Sequence, residues 1–319
     1  MYRFKYAINE TNINKSNYQN NSIRIKEREE LLKYISMGIH KNISQIKSIF
    51  LDLKFRLGNQ LIFLNKVIFY CEILGCKRII LNKDYYWFIR HKIFYKKYRM
   101  FIIPGDLKKY NNYNILIDKS TNFFWYSNYI KPQYKTTIIK REILRNLPKI
   151  KVNSYDLFIY IRSGDIFEKF LNSYFQPPLC FYKHILNNFG FKNIYLISEK
   201  LNNPVIIKLL NLYPNIIFNQ NSLLLDISYL AFGINIVGAY STLLFNIIRF
   251  NTYLKIFFFF EFSENFFFSF EFNERNKSIF KMKASDYYYK ISKFKTLKSQ
   301  AELMINYNCK YNLSTNNYC

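Results

Sequence analysis

The stretch D-L-F-I-Y-I-R-S-G-D, residues 156–165, decides how this chain folds. Residues 156–161 form a short run of β-branched and aromatic side chains, which is typical of a strand buried on both faces of a sheet. The run ends at Arg162, Ser163, Gly164 and Asp165, where a guanidinium, a glycine and a carboxylate occur together. Because the chain has only eight glycines in 319 residues, a glycine directly after a strand indicates a specific role.

The loop after this strand is a candidate ligand site. In an open α/β sheet, ligands bind at the carboxyl ends of the strands, where such a loop lies. We hypothesise that Arg162 binds a phosphate group there. The alternative is an ion pair between Arg162 and Asp165 that only holds the loop in place.

Strands and helices alternate regularly after this loop. The pattern predicts helices at 179–188, 203–212, 222–231 and 241–249, with Ser222 and Ser241 as N-caps, and strands at 193–198, 215–218 and 234–237. Such alternation predicts a parallel sheet covered by helices, a Rossmann-like domain.

An earlier βαβ unit has a similar strand-to-helix turn. A strand is predicted at 48–53, and a polar segment with Arg56, Gly58 and Asn59 follows it. Apolar residues then recur at three- and four-residue spacing from Leu61 to Cys71, which predicts a helix, and a second strand is predicted at 78–81. Amides at a helix N-terminus attract anions, and Arg56 adds a charged fork. The alternative is a plain turn in which Asn59 is the N-cap.

These patterns predict an α/β fold that is GT-B-like, with two Rossmann-like domains facing a cleft. We expect a polar tail with one candidate helix over 1–45 and an N-terminal, acceptor-side domain with a linker over 46–150. A C-terminal, donor-side domain would cover 151–290, and a terminal helix and polar tail 291–319.

The composition is strongly basic, with 47 Lys and Arg against 21 acidic residues and a formal net charge of +26. Such a charge is typical of proteins that bind nucleic acid or anionic membranes. The lysines are scattered, however, and the chain is rich in Asn, Lys, Ile, Phe and Tyr, the residues of A- and T-rich codons. We therefore favour codon bias and expect no specific nucleic-acid partner.

The cysteines and apolar stretches exclude several classes of protein. Five cysteines form no C-x-x-C pair and the three histidines stand far apart, so the sequence predicts no metal site. The odd cysteine count and the polar N-terminus argue against a secreted, disulfide-stapled protein. The most apolar stretch, 256–272, contains three glutamates, so we expect no transmembrane segment.

Missing motifs narrow the chemistry further. No G-x-G-x-x-G follows a strand and no Walker-type G-x-x-x-x-G-K-[ST] occurs, which argues against a dinucleotide-dependent dehydrogenase and a P-loop hydrolase. No Asp-x-Asp occurs, although metal-dependent nucleotide-sugar enzymes usually need such a carboxylate pair. An enzyme with this sequence that handles a pyrophosphate ester must neutralise the leaving group with arginines and backbone amides.

Three segments occur in a specific order: R-L-G-N-Q at 56–60, I-R-S-G-D at 161–165, and I-V-G-A-Y-S-T at 236–242 after a helix that contains Asp226. This set resembles the motifs of fucosyltransferase-type glycosyltransferases of the metal-independent GT-B class. The resemblance covers about residues 46–250. The chain departs from the family at Phe55 (usually Gly), Tyr160 (usually His) and Phe245 (in an often Trp-rich stretch).

The resemblance implies inverting transfer of fucose from GDP-fucose to a glycan or glycoprotein hydroxyl, without a metal or cofactor. It implies Arg162, Asp165 and Asn59 as catalytic residues, and donor contacts from Arg56, Gly58, Gly164, Asp226, Ser241 and Thr242. Arg162 and Arg56 would stabilise the departing diphosphate, while Asp226 would lie near the base or ribose. Three carboxylates are candidates for the base: Asp165, Glu199 and Asp226.

Two other interpretations stay open. One is a different nucleotide-sugar donor on the same fold, and the other is a catalytically inactive basic protein that holds nucleic acid by charge and stacking. As the sequence stands we expect a cytoplasmic protein, or a Golgi or endoplasmic reticulum protein if an N-terminal anchor is missing from the gene model.

Overall fold

The chain divides into two compact units, Met1–Glu142 and Ile143–Cys319. The computed structural model describes residues 47–52, 57–84, 92–95, 99–106, 115–117, 137–168, 176–238, 241–261, 278–283, 285–291, 296–309 and 312–317. Both units are built from mainly parallel sheets with helices, so the predicted α/β class is confirmed. The candidate helix expected within residues 1–45 lies outside the described residues.

The first unit is organised around a five-stranded sheet. Its strands are β1 (Ser48–Leu51), β2 (Arg78–Asn82), β3 (Ile93–Tyr95), β4 (Met100–Gly105) and β5 (Ile115–Ile117), and its helices are α1 (Leu57–Leu74) and α2 (Thr137–Asn146), the latter crossing into the second unit. The strand order is β3-β4-β2-β1-β5, with only the β3–β4 pair antiparallel.

Helix α1 buries the predicted face, formed by Leu61, Leu64, Ile68 and Cys71. It ends in a Schellman motif, because Gly75 has a φ of +68° and the N–H of Cys76 donates to the carbonyl of Cys71 at 2.9 Å. The helix begins at Leu57, so Gly58 and Asn59 lie in its first turn. The interpretation of Asn59 as the N-cap is therefore wrong.

The second unit contains a seven-stranded sheet. Its strands are β6 (Asp156–Tyr160), β7 (Asn193–Ile197), β8 (Ile216–Phe218), β9 (Asn235–Gly238), β10 (Ile256–Glu261), β11 (Ser278–Lys283) and β12 (Asn312–Asn317). Its helices are α3 (Leu179–Asn188), α4 (Pro204–Leu212), α5 (Leu223–Phe232), α6 (Thr242–Ile248), α7 (Ser285–Ile291) and α8 (Leu297–Asn306), with a short 3-10 turn at Gly164–Phe167.

The strand order of this sheet is β12-β11-β10-β9-β6-β7-β8, with only β12 antiparallel. Read along the chain, the six parallel strands follow the order 3-2-1-4-5-6 of doubly wound Rossmann-type sheets. All five residues of β6 are buried, as predicted. Leu157 and Ile159 belong to the core with α3 and α4, whereas Phe158 stacks on Tyr229 of α5 at a centroid distance of 5.2 Å.

Two features of the second unit contradict the sequence-based expectations. The C-terminal segment that was predicted to be a polar tail contains β12, which pairs with β11 over six residues. Cys180 and Cys309 form a disulfide across a sequence separation of 129. The odd cysteine count had argued against a disulfide-stabilised protein. That inference failed because the number of cysteines does not show which of them lie close together in the fold.

Candidate functional site

The candidate site lies at the switch point of the second sheet. Strands β6 and β9 are neighbours, with Tyr160 opposite Gly238. The strand after β6, β7, lies on one side of this pair, and the strand after β9, β10, lies on the other. Ligands of open α/β sheets bind at such a point, outside the carboxyl ends of the strands. The structure therefore brings five predicted residues to adjacent strand ends: Arg162, Gly164 and Asp165 after β6, and Ser241 and Thr242 after β9.

The loop after β6 is held by residues that follow β7. The side-chain amide of Asn202 accepts from the N–H of Gly164 at 2.8 Å and donates to its carbonyl at 3.0 Å. Asn203 donates to the carbonyl of Arg162 at 2.8 Å, and the hydroxyl of Ser163 accepts from the N–H of Lys200 at 2.8 Å. These contacts fix the loop without using the guanidinium of Arg162.

Arg162 is mostly enclosed, with a side-chain exposure of 13%. Its Nη2 donates to Oδ1 of Asp165 at 2.9 Å, so the ion pair considered as the alternative interpretation does form. The pair leaves other donors of the guanidinium available. Nε is buried and has no hydrogen-bond partner among the described residues. Because an unpaired buried donor is costly, this N–H is suited to meet a ligand acceptor.

Gly164 is required by its backbone conformation, because its φ is +75°, where glycine is favoured. A Cβ at this position would lie 2.9 Å from Oε2 of Glu199, so the Glu199 carboxylate lies directly over the loop. The glycine thus permits both the turn and the close approach of Glu199.

Tyr160 links the two strand ends, with its hydroxyl 3.2 Å from Oγ of Ser241. Ser241 occupies the N-cap position of α6, as predicted, but its side chain makes no capping hydrogen bond. At the same strand end, a Cβ on Gly238 would lie 2.5 Å from Cδ2 of Leu244. The absence of a side chain at Gly238 therefore leaves room for Leu244 of α6 to pack closely on β9.

Asp226 lies in the first turn of α5, the helix that follows β8. Asp226 therefore lies at the carboxyl ends of the strands, as Arg162 does. The two residues follow different strands, β8 and β6, which are separated by β7. Burial raises the pKa of Asp226 to about 7, and a hydrogen bond from Asn221 opposes this rise. A carboxyl with this pKa can serve as a general base or as a hydrogen-bond donor near neutral pH.

Asp226→Asn should stabilise the protein most at high pH. The folded protein holds the Asp226 proton more tightly than the unfolded chain, so the free energy of unfolding falls as pH rises from about 4 to about 7. After allowance for partial solvent screening, the variant should gain about 1–2 kcal/mol at pH 8 and little at pH 4. Urea denaturation at both pH values measures this, and equal effects at both would contradict the raised pKa.

The remaining predicted residues belong to the first unit or lie outside the described residues. Gly58 is buried and Asn59 is half-buried in the first turn of α1, after β1, which is also the strand where the order of its sheet reverses. Asp52, directly after β1, accepts from the side-chain amide of Asn82 at 2.6 Å. Arg56 lies outside the described residues.

The residues that hold the loop after β6 were not predicted as part of the site. Asn203 caps α4 by accepting from the N–H of Val205, with Pro204 at the first helical position. The sequence Asn-Asn-Pro before a helix is the signal that could have identified Asn202 and Asn203 as structural residues. In so Asn-rich a chain this signal is difficult to recognise.

No protein-family model, curated protein or solved structure matches this chain. Among the described residues, no group of three or more His, Cys, Asp and Glu side chains could hold a metal ion. No helix in the described part of the chain is long and apolar enough to cross a membrane.

Proposed function

We propose that this protein is a glycosyltransferase of the metal-independent GT-B type, which transfers fucose with inversion from GDP-fucose to a hydroxyl of a glycan or protein. The observation that carries the proposal is the position of Arg162. Its guanidinium is held at the switch point of a sheet with Rossmann strand order and has a buried donor with no partner among the described residues. The ordered motifs around Gly58, Arg162 and Ser241 support the choice of a GDP-sugar.

The electrostatics of the loop suit a diphosphate. A guanidinium offers five donors in a planar fork, which matches phosphate oxygens better than a lysine does. The Asp165 ion pair orients this fork through Nη2 and leaves Nε for the ligand. A prearranged cation costs little reorganisation when negative charge develops on the leaving group.

The proposed reaction is an in-line displacement at the anomeric carbon. The acceptor oxygen forms a bond to this carbon while the bond to the diphosphate oxygen breaks, and GDP leaves with the electron pair. Arg162 stabilises the charge on the diphosphate, with Arg56 as a second candidate. The acceptor proton passes to a carboxylate: Glu199 lies against the loop, and Asp226 has a pKa suited to a base.

Thermal unfolding of the purified chain with GDP, GDP-fucose, UDP or no ligand tests this proposal. A ligand present at 100 times its Kd stabilises the native state by about 2.7 kcal/mol. We expect this shift with GDP and GDP-fucose only, together with slow GDP release from GDP-fucose. A shift with UDP alone would indicate another donor, and no shift with any nucleotide would favour the inactive binding protein.

Gly164→Ala should impair nucleotide binding more than it impairs stability. The positive φ costs about 1–2 kcal/mol for a non-glycine residue, while Glu199 is exposed and can move aside. Gly75→Ala is the matched control, because Gly75 has a φ of +68° and nothing within 4 Å of its added Cβ. Both variants should lose similar stability in urea, but only Gly164→Ala should reduce the GDP-induced shift. Equal GDP shifts would show that the loop geometry is unimportant for binding.

A further inference from the structure

The surface between residues 211 and 223 is uncharged, although the chain is strongly basic. Its exposed residues are Asn211, Leu212, Pro214, Asn215, Ile217, Asn219, Gln220, Ser222 and Leu223. From residue 209 to 248 there is no Lys or Arg, and Asp226 is the one acidic residue, in a chain with 47 basic and 21 acidic residues. Depletion of charge is the compositional mark of the centre of a protein–protein interface.

This uncharged surface follows the edge strand of the second sheet. In the described part of the chain, β8 pairs with β7 alone and is the last strand on its side. Ile217 in β8 is 39% exposed, and Leu212 at the end of α4 is 45% exposed. Helix α4 runs from the carboxyl end of β7 to the amino end of β8. Leu212, its last residue, therefore lies at the amino ends of the strands, whereas the candidate site lies at their carboxyl ends.

We propose that the uncharged surface binds a second copy of this chain, with β8 pairing against its two-fold-related copy. An edge strand presents backbone donors and acceptors that another strand can use, whatever its side chains. A two-fold axis at the middle of β8 makes the two copies of this strand antiparallel and brings Ile217 of one chain opposite Ile217 of the other. Leu212, which precedes β8, then lies beside the uncharged residues that follow β8 in the second copy. The seven-stranded sheets of two copies then form one continuous sheet.

The charge distribution favours a second copy over other partners. An acidic protein, a nucleic acid or an anionic membrane would be attracted by basic side chains, and this surface has none. Two copies that each carry a formal charge of +26 repel one another, and the repulsion is weakest where the facing surfaces are uncharged. Because salt screens that repulsion, dimerisation should strengthen as salt rises, which is opposite to polyanion binding.

Sedimentation velocity of the full chain over a concentration series, at low and moderate salt, tests the proposal. We expect a dimer that dissociates on dilution and at low salt. Leu212→Lys and Ile217→Lys should each weaken it by at least tenfold. Ile217→Lys brings two like charges together at the two-fold axis, and Leu212→Lys places a charge against the uncharged surface of the second copy. Tyr253→Lys is the control, because Tyr253 is 59% exposed and precedes β10, away from β8.

A wild-type chain that stays monomeric at every concentration would overturn the proposal. So would Leu212→Lys and Ile217→Lys variants that dimerise as tightly as Tyr253→Lys. Thermal unfolding near the wild-type temperature shows that each variant is folded, and either variant alone suffices if the other does not fold. Flotation with neutral and anionic vesicles completes the test, because vesicle binding that Ile217→Lys abolishes would assign the surface to lipid.

Discussion

Arg162→Ala should keep the fold and reduce sugar transfer by about 10³-fold. Removing one preorganised donor to a developing charge commonly has an effect of this size. The loop itself should survive, because Asn202, Asn203 and Ser163 hold its backbone without the guanidinium. GDP release from GDP-fucose measures the loss of transfer, and the thermal shift with GDP measures the loss of binding.

Two further variants separate the role of Arg162 from simple loss of charge. Arg162→Lys keeps the charge but lacks the planar fork, so it should recover only part of the activity. Arg145→Ala removes an exposed arginine from the last turn of α2 and should leave transfer unchanged. An Arg162→Ala variant with full activity, or a loss equal to that of Arg145→Ala, would rule out the proposed diphosphate contact.

Replacement of both Cys180 and Cys309 by serine should cost the protein up to about 4 kcal/mol of stability. The disulfide spans 129 residues, and long closed loops lose the most conformational entropy in the unfolded chain. It joins the first turn of α3 to the segment after α8, beside the hydrophobic core that α3 shares with β6 and β7. Urea denaturation of the oxidised protein and of the double variant measures the difference.

Reductant provides the control for this prediction. Dithiothreitol should lower the denaturation midpoint of the wild type to that of the double variant and should not change the variant. A wild-type midpoint that is insensitive to reductant would contradict the prediction. Disulfides persist mainly in oxidising compartments. Whether Cys180 and Cys309 are oxidised in protein isolated from its native cells would therefore indicate the kind of compartment in which the protein acts.

Regular βα alternation made much of the second unit predictable. The predicted bounds of α3 agree with the structure, and those of α4, α5 and α6 differ by one residue at the ends, because their apolar faces pack on a parallel sheet whose strands are buried. The loop at Arg162 was predictable for the same reason. Arg, Gly and Asp directly after a strand of a parallel sheet lie at the carboxyl ends of the strands, where ligands bind.

Other features depend on contacts that the sequence does not display. Strand β12 has the sequence N-L-S-T-N-N, which has low strand propensity, and it forms because β11 offers a full set of backbone partners. The strands β3 and β5 were not predicted because they are short and lie in an aromatic-rich, basic segment that lacks the regular βα alternation around β8. The contact between Tyr160 and Ser241 joins residues 81 positions apart and depends on the order of the strands.

The C-terminal position of β12 affects how the protein is made. The described strands of the first unit all lie between residues 48 and 117, so this sheet can assemble early in synthesis. The second sheet begins at residue 156 but receives its last strand at residues 312–317, and its disulfide needs Cys309. Until those residues leave the ribosome, the backbone donors and acceptors on the outer side of β11 cannot pair with β12, and Cys180 cannot form its disulfide. An incomplete sheet edge is prone to pair with other chains, so this unit is exposed to aggregation for longer than the first.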